Sequence, residues 1–176
     1  MMFIFIAGMT RSGKSQYAEL RAAKLGKNSP KIYIATAEIF DDDSEMLARV
    51  ELHKNRRKGM GFTTIERYRD LGGLVIPENS CVLIESLTVW TANEMFRDGN
   101  VNHNAGEKVY TDFMSIYSRA KDIVLVSDDV FSDGAEYDVL TEEYMHILGS
   151  LHVKLAALAD EVIEVVSGLP VFYKHS

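Results

Sequence analysis

The sequence holds a single cysteine, Cys81, so no disulfide can form within the chain. So few thiols suit a reducing compartment such as the cytoplasm. Long hydrophobic runs are missing too. The opening apolar stretch, Met2 to Ala7, is too short to span a membrane and lacks the basic flank of a secretory leader. The expectation is a cytoplasmic protein with no stable membrane insertion. Positive charge is scarce: 19 Lys and Arg against 26 Asp and Glu leave a net charge of −7. That balance argues against a nucleic-acid-coating protein, so no nucleic-acid partner is expected. There is also no low-complexity tract and no internal repeat. What is present is 47% hydrophobic residues over 176 positions, enough for a real core and consistent with one domain over residues 1–176.

The most informative stretch is Gly8-Met9-Thr10-Arg11-Ser12-Gly13-Lys14-Ser15. It fits G-x-x-x-x-G-K-[ST], the loop that cradles a polyphosphate. Consecutive backbone N–H groups in a turn, backed by a helix N-terminus, converge on one small volume and favour anions. Gly8 and Gly13 permit torsions and close approach that a Cβ would obstruct. Lys14 can reach the β- and γ-phosphates, and the Ser15 hydroxyl can ligate Mg²⁺. The flanks agree: an apolar strand-type run precedes the loop, and Gln16 to Leu25 has helical spacing through Tyr17, Leu20, Lys24 and through Ala18, Ala22, Leu25.

Further on, Lys31 to Ala37 and Ser80 to Glu85 read as buried strands, and Phe62 to Glu66 as a short one with Thr64 and Glu66 on one face. Asp41, Asp42 and Asp43 offer caps for a helix from Glu45 to about Asn55, closed by Lys54, Arg56, Arg57, Lys58 and Gly59. His53 falls beside the apolar stripe of that helix, a place where a lone histidine is ordinarily a core or boundary residue. Glu85 ends its strand, where an acid in phosphate-loop enzymes holds Mg²⁺ through water. Helices follow over Leu87–Arg97, about Gly106–Ala120 and Val139–Asp160, with strands at Asp122–Ser127 and Glu161–Val166. Residues 98–104, Gly134–Asp138 and the tail from Gly168 read as polar turns and loop. About five core strands alternating with helices predict a three-layer α/β fold of the phosphate-loop NTPase type, with a mainly parallel central sheet.

Several of these segments together resemble one family, the bifunctional adenosylcobinamide kinase and adenosylcobinamide-phosphate guanylyltransferase of cobalamin biosynthesis. The resemblance runs almost end to end. It covers Gly8 to Ser15, Tyr33-Ile34-Ala35-Thr36-Ala37, the helix bearing Met46, Arg49, Val50, His53 and Lys54, and Thr64 with Glu66. It continues through Leu83-Ile84-Glu85-Ser86-Leu87-Thr88 with Trp90 and Asn93, and closes at Ala159 to Pro170. The resemblance implies a recombinase-like core and His53 as a nucleophile that takes GMP from GTP. It implies a guanine-nucleotide site of Gly8 to Ser15, Ala35, Thr36, Ala37, Lys54, Asn55, Arg56, Arg57, Glu66 and Glu85. It also implies Mg²⁺ at Ser15 and Glu85, ATP and GTP as substrates with adenosylcobinamide, and a homotrimer.

The chain departs from the family pattern in one region. Ser127-Asp128-Asp129-Val130-Phe131, then Ser132-Asp133-Gly134, stand where Ser/Thr-Asn-Glu-Val-Gly is usual; Thr141 and Glu142 replace an arginine; and Gly149-Ser150-Leu151-His152-Val153 replaces Gly-x-x-Asn-Gln. On the residues alone, a single-activity kinase or guanylyltransferase and a nucleotide-dependent regulatory protein also remain open.

Overall fold

The computed structural model describes residues 1–38, 44–131 and 136–175, with the backbone alone for 44–47 and 49. The acidic cap expected at Asp41 to Asp43, and Gly134 of the expected turn, lie outside the described residues.

The chain begins with β1 (Met2–Gly8), the phosphate loop and α1 (Lys14–Leu25), then β2 (Lys31–Ala35), α2 (Ser44–Arg57) and β3 (Phe62–Glu66). A single 3₁₀ turn at Leu71–Gly73 leads to β4 (Cys81–Glu85) and α3 (Leu87–Met95). A small hairpin, β5 (Phe96–Arg97) and β6 (Asn100–Val101), precedes α4 (Ala105–Tyr117), β7 (Asp122–Asp128), α5 (Val139–Leu158), β8 (Glu161–Val166) and β9 (Leu169–Lys174). The main sheet has seven strands in the order β3-β2-β4-β7-β1-β8-β9. All neighbours are parallel except β8 and β9.

Alternation along the strands divides the core into two layers. Phe3, Phe5, Ile32, Ile34, Val82, Ile84, Ile123 and Leu125 face α3, α4 and α5. Ile4, Ile6, Tyr33, Leu83, Val124, Val126, Ile163 and Val165 face α1, whose small Ala18 and Ala22 let the helix lie close. The strands are apolar on both faces because helices cover both faces. Trp90 and Met95 pack completely, as their apolar character predicts. In α1, by contrast, Leu20 is exposed and Glu19 is fully buried, so the stripe through Leu20 is not the one that packs. Cys81 lies inside, and burial pushes its thiol up to about 12. Among the described residues no helix is long and apolar enough to cross a membrane.

Two expected loops are hairpins. Asp98 and Gly99 have φ of 52° and 77°, and Ser167 and Gly168 have φ of 50° and 84°. Each pair joins strands through a two-residue turn with both central residues left-handed, the geometry whose twist matches that of the flanking strands. The helix read to Arg97 therefore stops at Met95, and the expected tail loop becomes the edge strand β9. That strand is exposed at nearly every position, so no alternation advertises it in the sequence.

Candidate active site

The parallel strands end together, and the phosphate loop opens at that end. Arg11 and Gly13 both take left-handed backbone, with φ of 62° and 91°, which curls the loop so that successive amides converge. A Cβ on Gly8 would sit 2.7 Å from both the Ser12 hydroxyl and the Val165 carbonyl. The β8–β9 turn braces the loop from behind: the Gly168 N–H donates to the Ser12 carbonyl at 2.8 Å. The last hairpin thus supports the phosphate loop.

A cavity of about 820 Å³ lies above these strand ends. Thr10, Arg11, Gly13, Lys14 and Ser15 line it from the loop, and Ala35, Ala37, Glu66 and Glu85 from the strand ends. His53, Lys54, Arg56 and Arg57 line it from the end of α2. Register explains the floor. Glu66 pairs with Ala35, and Ala35 with Glu85, so both carboxylates sit in one row. They share the face of Tyr33, two residues back along β2.

Five of the residues expected in the site do not line the cavity with the others. Thr36 is buried; its hydroxyl donates to the Ser86 carbonyl at 3.0 Å and accepts from the Ser86 N–H at 2.7 Å, tying β2 to β4. Asn55 turns along α2, donating to Glu51 at 3.0 Å and accepting from Lys58. Gly8 and Ser12 pack against each other within the loop, and Met9 contributes its carbonyl, which accepts from the Lys14 ammonium at 3.2 Å.

Lys14 also pairs with Asp128 at 2.6 Å. Asp128 ends β7 beside β1, and its N–H donates to the Thr88 hydroxyl at 2.7 Å. Asp128 is one of the departures from the family pattern, and its partner could not be foreseen because a parallel sheet brings together strands distant in sequence. His152, another departure, lies between the Phe5 and Phe131 rings with Nε2 at 2.7 Å from the Ser127 hydroxyl. Burial lowers its pKa to about 4. Thr141 belongs to the cap of α5, its hydroxyl donating to Asp138 at 2.8 Å.

The histidine end of α2 is fastened by Glu19, a residue outside every motif of the sequence. Its side chain is 1% exposed, and its oxygens lie 3.3 Å from His53 Nδ1, Arg56 Nε and Arg57 Nη1. His53 is 23% exposed toward the cavity. Arg57 lies over the Tyr33 ring, 3.5 Å from its centroid, and the Tyr33 hydroxyl donates to Glu85 at 3.0 Å. Burial and then the Glu85 charge raise the Tyr33 hydroxyl well above its ordinary pKa, keeping it a proton donor. The one signal for Glu19 in the sequence is an acid beside Ala18 and Ala22 on the packed stripe of α1.

Two groups here could hold a cation. Ligand atoms of Glu19, His53 and Glu85 lie within 4.8 Å of one another. That mixed nitrogen–oxygen set is a poor match to Mg²⁺, which takes oxygen ligands. Two guanidiniums also already occupy Glu19. The Ser15 hydroxyl with the Glu85 carboxylate, both on the cavity wall, is the all-oxygen set that fits Mg²⁺.

The geometry agrees with the comparisons to known proteins. Among solved structures, one ATPase domain superposes with a TM-score of 0.55 at 11% identity, covering 99% of this chain and 77% of that one. The KaiC-like protein PH0186 from Pyrococcus horikoshii gives 0.50 at 14% identity, covering 93% and 70%. These likenesses show the fold, a phosphate-loop NTPase core. The bifunctional adenosylcobalamin biosynthesis protein CobU of Salmonella typhimurium is 34% identical over 187 aligned positions, covering 98% of this chain and all of that protein. The corresponding CobP of Pseudomonas aeruginosa is 30% identical, covering 94% and 93%. The profile of the family described as cobinamide kinase / cobinamide phosphate guanyltransferase matches residues 4–172, and the chain belongs to that family.

Proposed function

We propose that this protein phosphorylates adenosylcobinamide with a nucleoside triphosphate and then transfers GMP from GTP to the resulting phosphate. The transfer runs through His53 and yields adenosylcobinamide-GDP. The observation that carries this reading is one cavity with two chemistries on its wall. Lys14 and Ser15 of the phosphate loop and the His53 imidazole all line it. A neutral imidazole is a competent nucleophile near neutral pH. Arg56, Arg57 and Lys54 are placed to balance phosphate charge around it.

In the kinase step the loop amides and Lys14 bind the triphosphate, which competes with Asp128 for the Lys14 ammonium. Ser15 and Glu85 would hold Mg²⁺, which when bound neutralises charge on the phosphate oxygens. In the guanylyl step His53 meets the α-phosphorus while Lys54, Glu66 and Glu85 line the space beside it. Family membership supports an assembly of three copies acting in the cytoplasm; light scattering and cell fractionation check these two points.

The test is product analysis. Protein given adenosylcobinamide, ATP, GTP and Mg²⁺ is expected to form adenosylcobinamide phosphate first and adenosylcobinamide-GDP second. Accumulation of the phosphate alone would favour a single-activity kinase. Nucleotide binding with neither product would favour a regulatory protein.

A further inference from the structure

Glu19 raises a chemical question. A buried carboxylate held by two arginines stabilises a fold little better than apolar side chains of the same volume. Here it sits on the phosphate-loop helix and reaches the proposed nucleophile on a different helix. Two groups compete for the same atom of that nucleophile. Glu19 Oε1 lies 3.3 Å from His53 Nδ1, and Arg56 Nη2 lies 3.0 Å from that nitrogen.

A ring nitrogen has one in-plane position, holding either a proton or a lone pair. A carboxylate only accepts, so its hydrogen bond requires Nδ1–H. A guanidinium only donates, so its hydrogen bond requires a bare Nδ1, and the ring proton is then on Nε2. The two contacts therefore select opposite tautomers. Glu85 Oε2, at 3.9 Å from Nδ1, is too far to bond and already accepts from Tyr33.

We propose that Glu19 is the positioning residue that fixes His53 with its proton on Nδ1, leaving the Nε2 lone pair to attack the α-phosphorus, and that Arg56 holds the ring in the unreactive tautomer until nucleotide draws the guanidinium away. This rests on the reading of His53 as the guanylyl carrier. Arg56 lines the cavity, so an arriving polyphosphate competes for it through charge-assisted hydrogen bonds. Once it leaves, Nδ1 has Glu19 alone.

The electrons then balance without a proton relay. The Nε2 lone pair forms the N–P bond. The bond from the α-phosphorus to its bridging oxygen breaks, and pyrophosphate leaves with that pair. Nδ1 keeps its proton, the ring becomes cationic, and the Glu19 carboxylate compensates it. In the second half an oxygen of adenosylcobinamide phosphate attacks the same phosphorus and the N–P pair returns to Nε2.

The test uses the full chain with ¹⁵N-labelled histidine. On wild-type protein, NMR reads the His53 nitrogens with and without the α,β-methylene analogue of GTP. Nε2 is expected to move from the protonated to the unprotonated range when the analogue binds; an unchanged Nε2 overturns the proposal. With GTP itself, the adduct is expected on Nε2, and an adduct on Nδ1 overturns it. Glu19→Met removes the acceptor at similar volume and is expected to slow label formation from [α-³²P]GTP by about ten- to a hundred-fold. Glu19→Gln keeps a carbonyl acceptor and is expected to recover much of that loss with the adduct still on Nε2. Equal rates in wild type and Glu19→Met, or no recovery in Glu19→Gln, overturn the positioning role while leaving the carrier reading intact. No α-label on wild-type protein, or label surviving in His53→Ala, overturns the carrier reading and this proposal with it.

Discussion

His53 sits beside α1 on one face of the sheet and His152 against Phe5 on the other, and their surroundings could hardly differ more. His53 is held by a carboxylate and a guanidinium and opens onto the cavity. His152 is wedged between two phenylalanine rings with one hydroxyl for company. An imidazole that must become a cationic adduct needs counter-charge and an open side. An imidazole that only fills space is best kept neutral. The environment, not the residue type, separates a proposed nucleophile from a packing residue.

Removing each ring in turn tests this difference. His53→Ala is expected to reduce guanylyl transfer by roughly 10⁴-fold or more, because no other group takes over as nucleophile. The protein should stay folded, since Arg56 and Arg57 keep Glu19 paired; activity and thermal denaturation read both. His152→Ala should do the reverse. It removes both ring contacts and is expected to cost about 2–4 kcal/mol of stability by denaturant titration, while the folded fraction still carries label.

The same ring should impose a pH dependence. The pKa of His152 falls from an ordinary 6.5 to about 4 because burial penalises the charged form, against a smaller opposing pull from Asp129 and Asp128. Between those values the unfolded chain binds a proton that the folded chain does not, so stability is full above pH 6.5 and declines as pH falls toward 4. The loss is about 3 kcal/mol at most, and the slope should vanish in His152→Ala.

The smallest effect concerns the hairpin far from the contrast. Gly99 has φ of 77° with open space where a Cβ would go. Gly99→Ala should cost about 1 kcal/mol from backbone strain alone and leave both transfer reactions as they were.

The parts of the molecule that the sequence disclosed share one property: their physical requirement is local. The phosphate loop needs glycines at fixed spacing, and the buried strands need apolar runs, so both are visible in a few consecutive residues. Asp98-Gly99 and Ser167-Gly168 were equally local, but two-residue turns look like loop when the strands beside them are short or exposed. Glu19 and Asp128 were hidden for a different reason. An acid on a helix or at a strand end usually faces water, and only the sheet order puts Asp128 against Lys14 and the packing of α2 puts Glu19 against His53. Family resemblance implies Thr36 and Asn55 in the site, while their side chains make local hydrogen bonds to Ser86 and Glu51, because neighbours along a strand end or a helix turn point in different directions. His53 stood out through family resemblance, since its position beside an apolar stripe would otherwise suggest packing.

If one cavity serves both the phosphate grip and the histidine relay, a chase experiment will show the nucleotide passing through it. Protein loaded with [α-³²P]GTP, freed of nucleotide and then given adenosylcobinamide phosphate should hand its label to adenosylcobinamide-GDP with no GTP present. Protein that binds GTP yet retains no label, or holds label that the corrinoid phosphate cannot remove, would rule out the histidine relay.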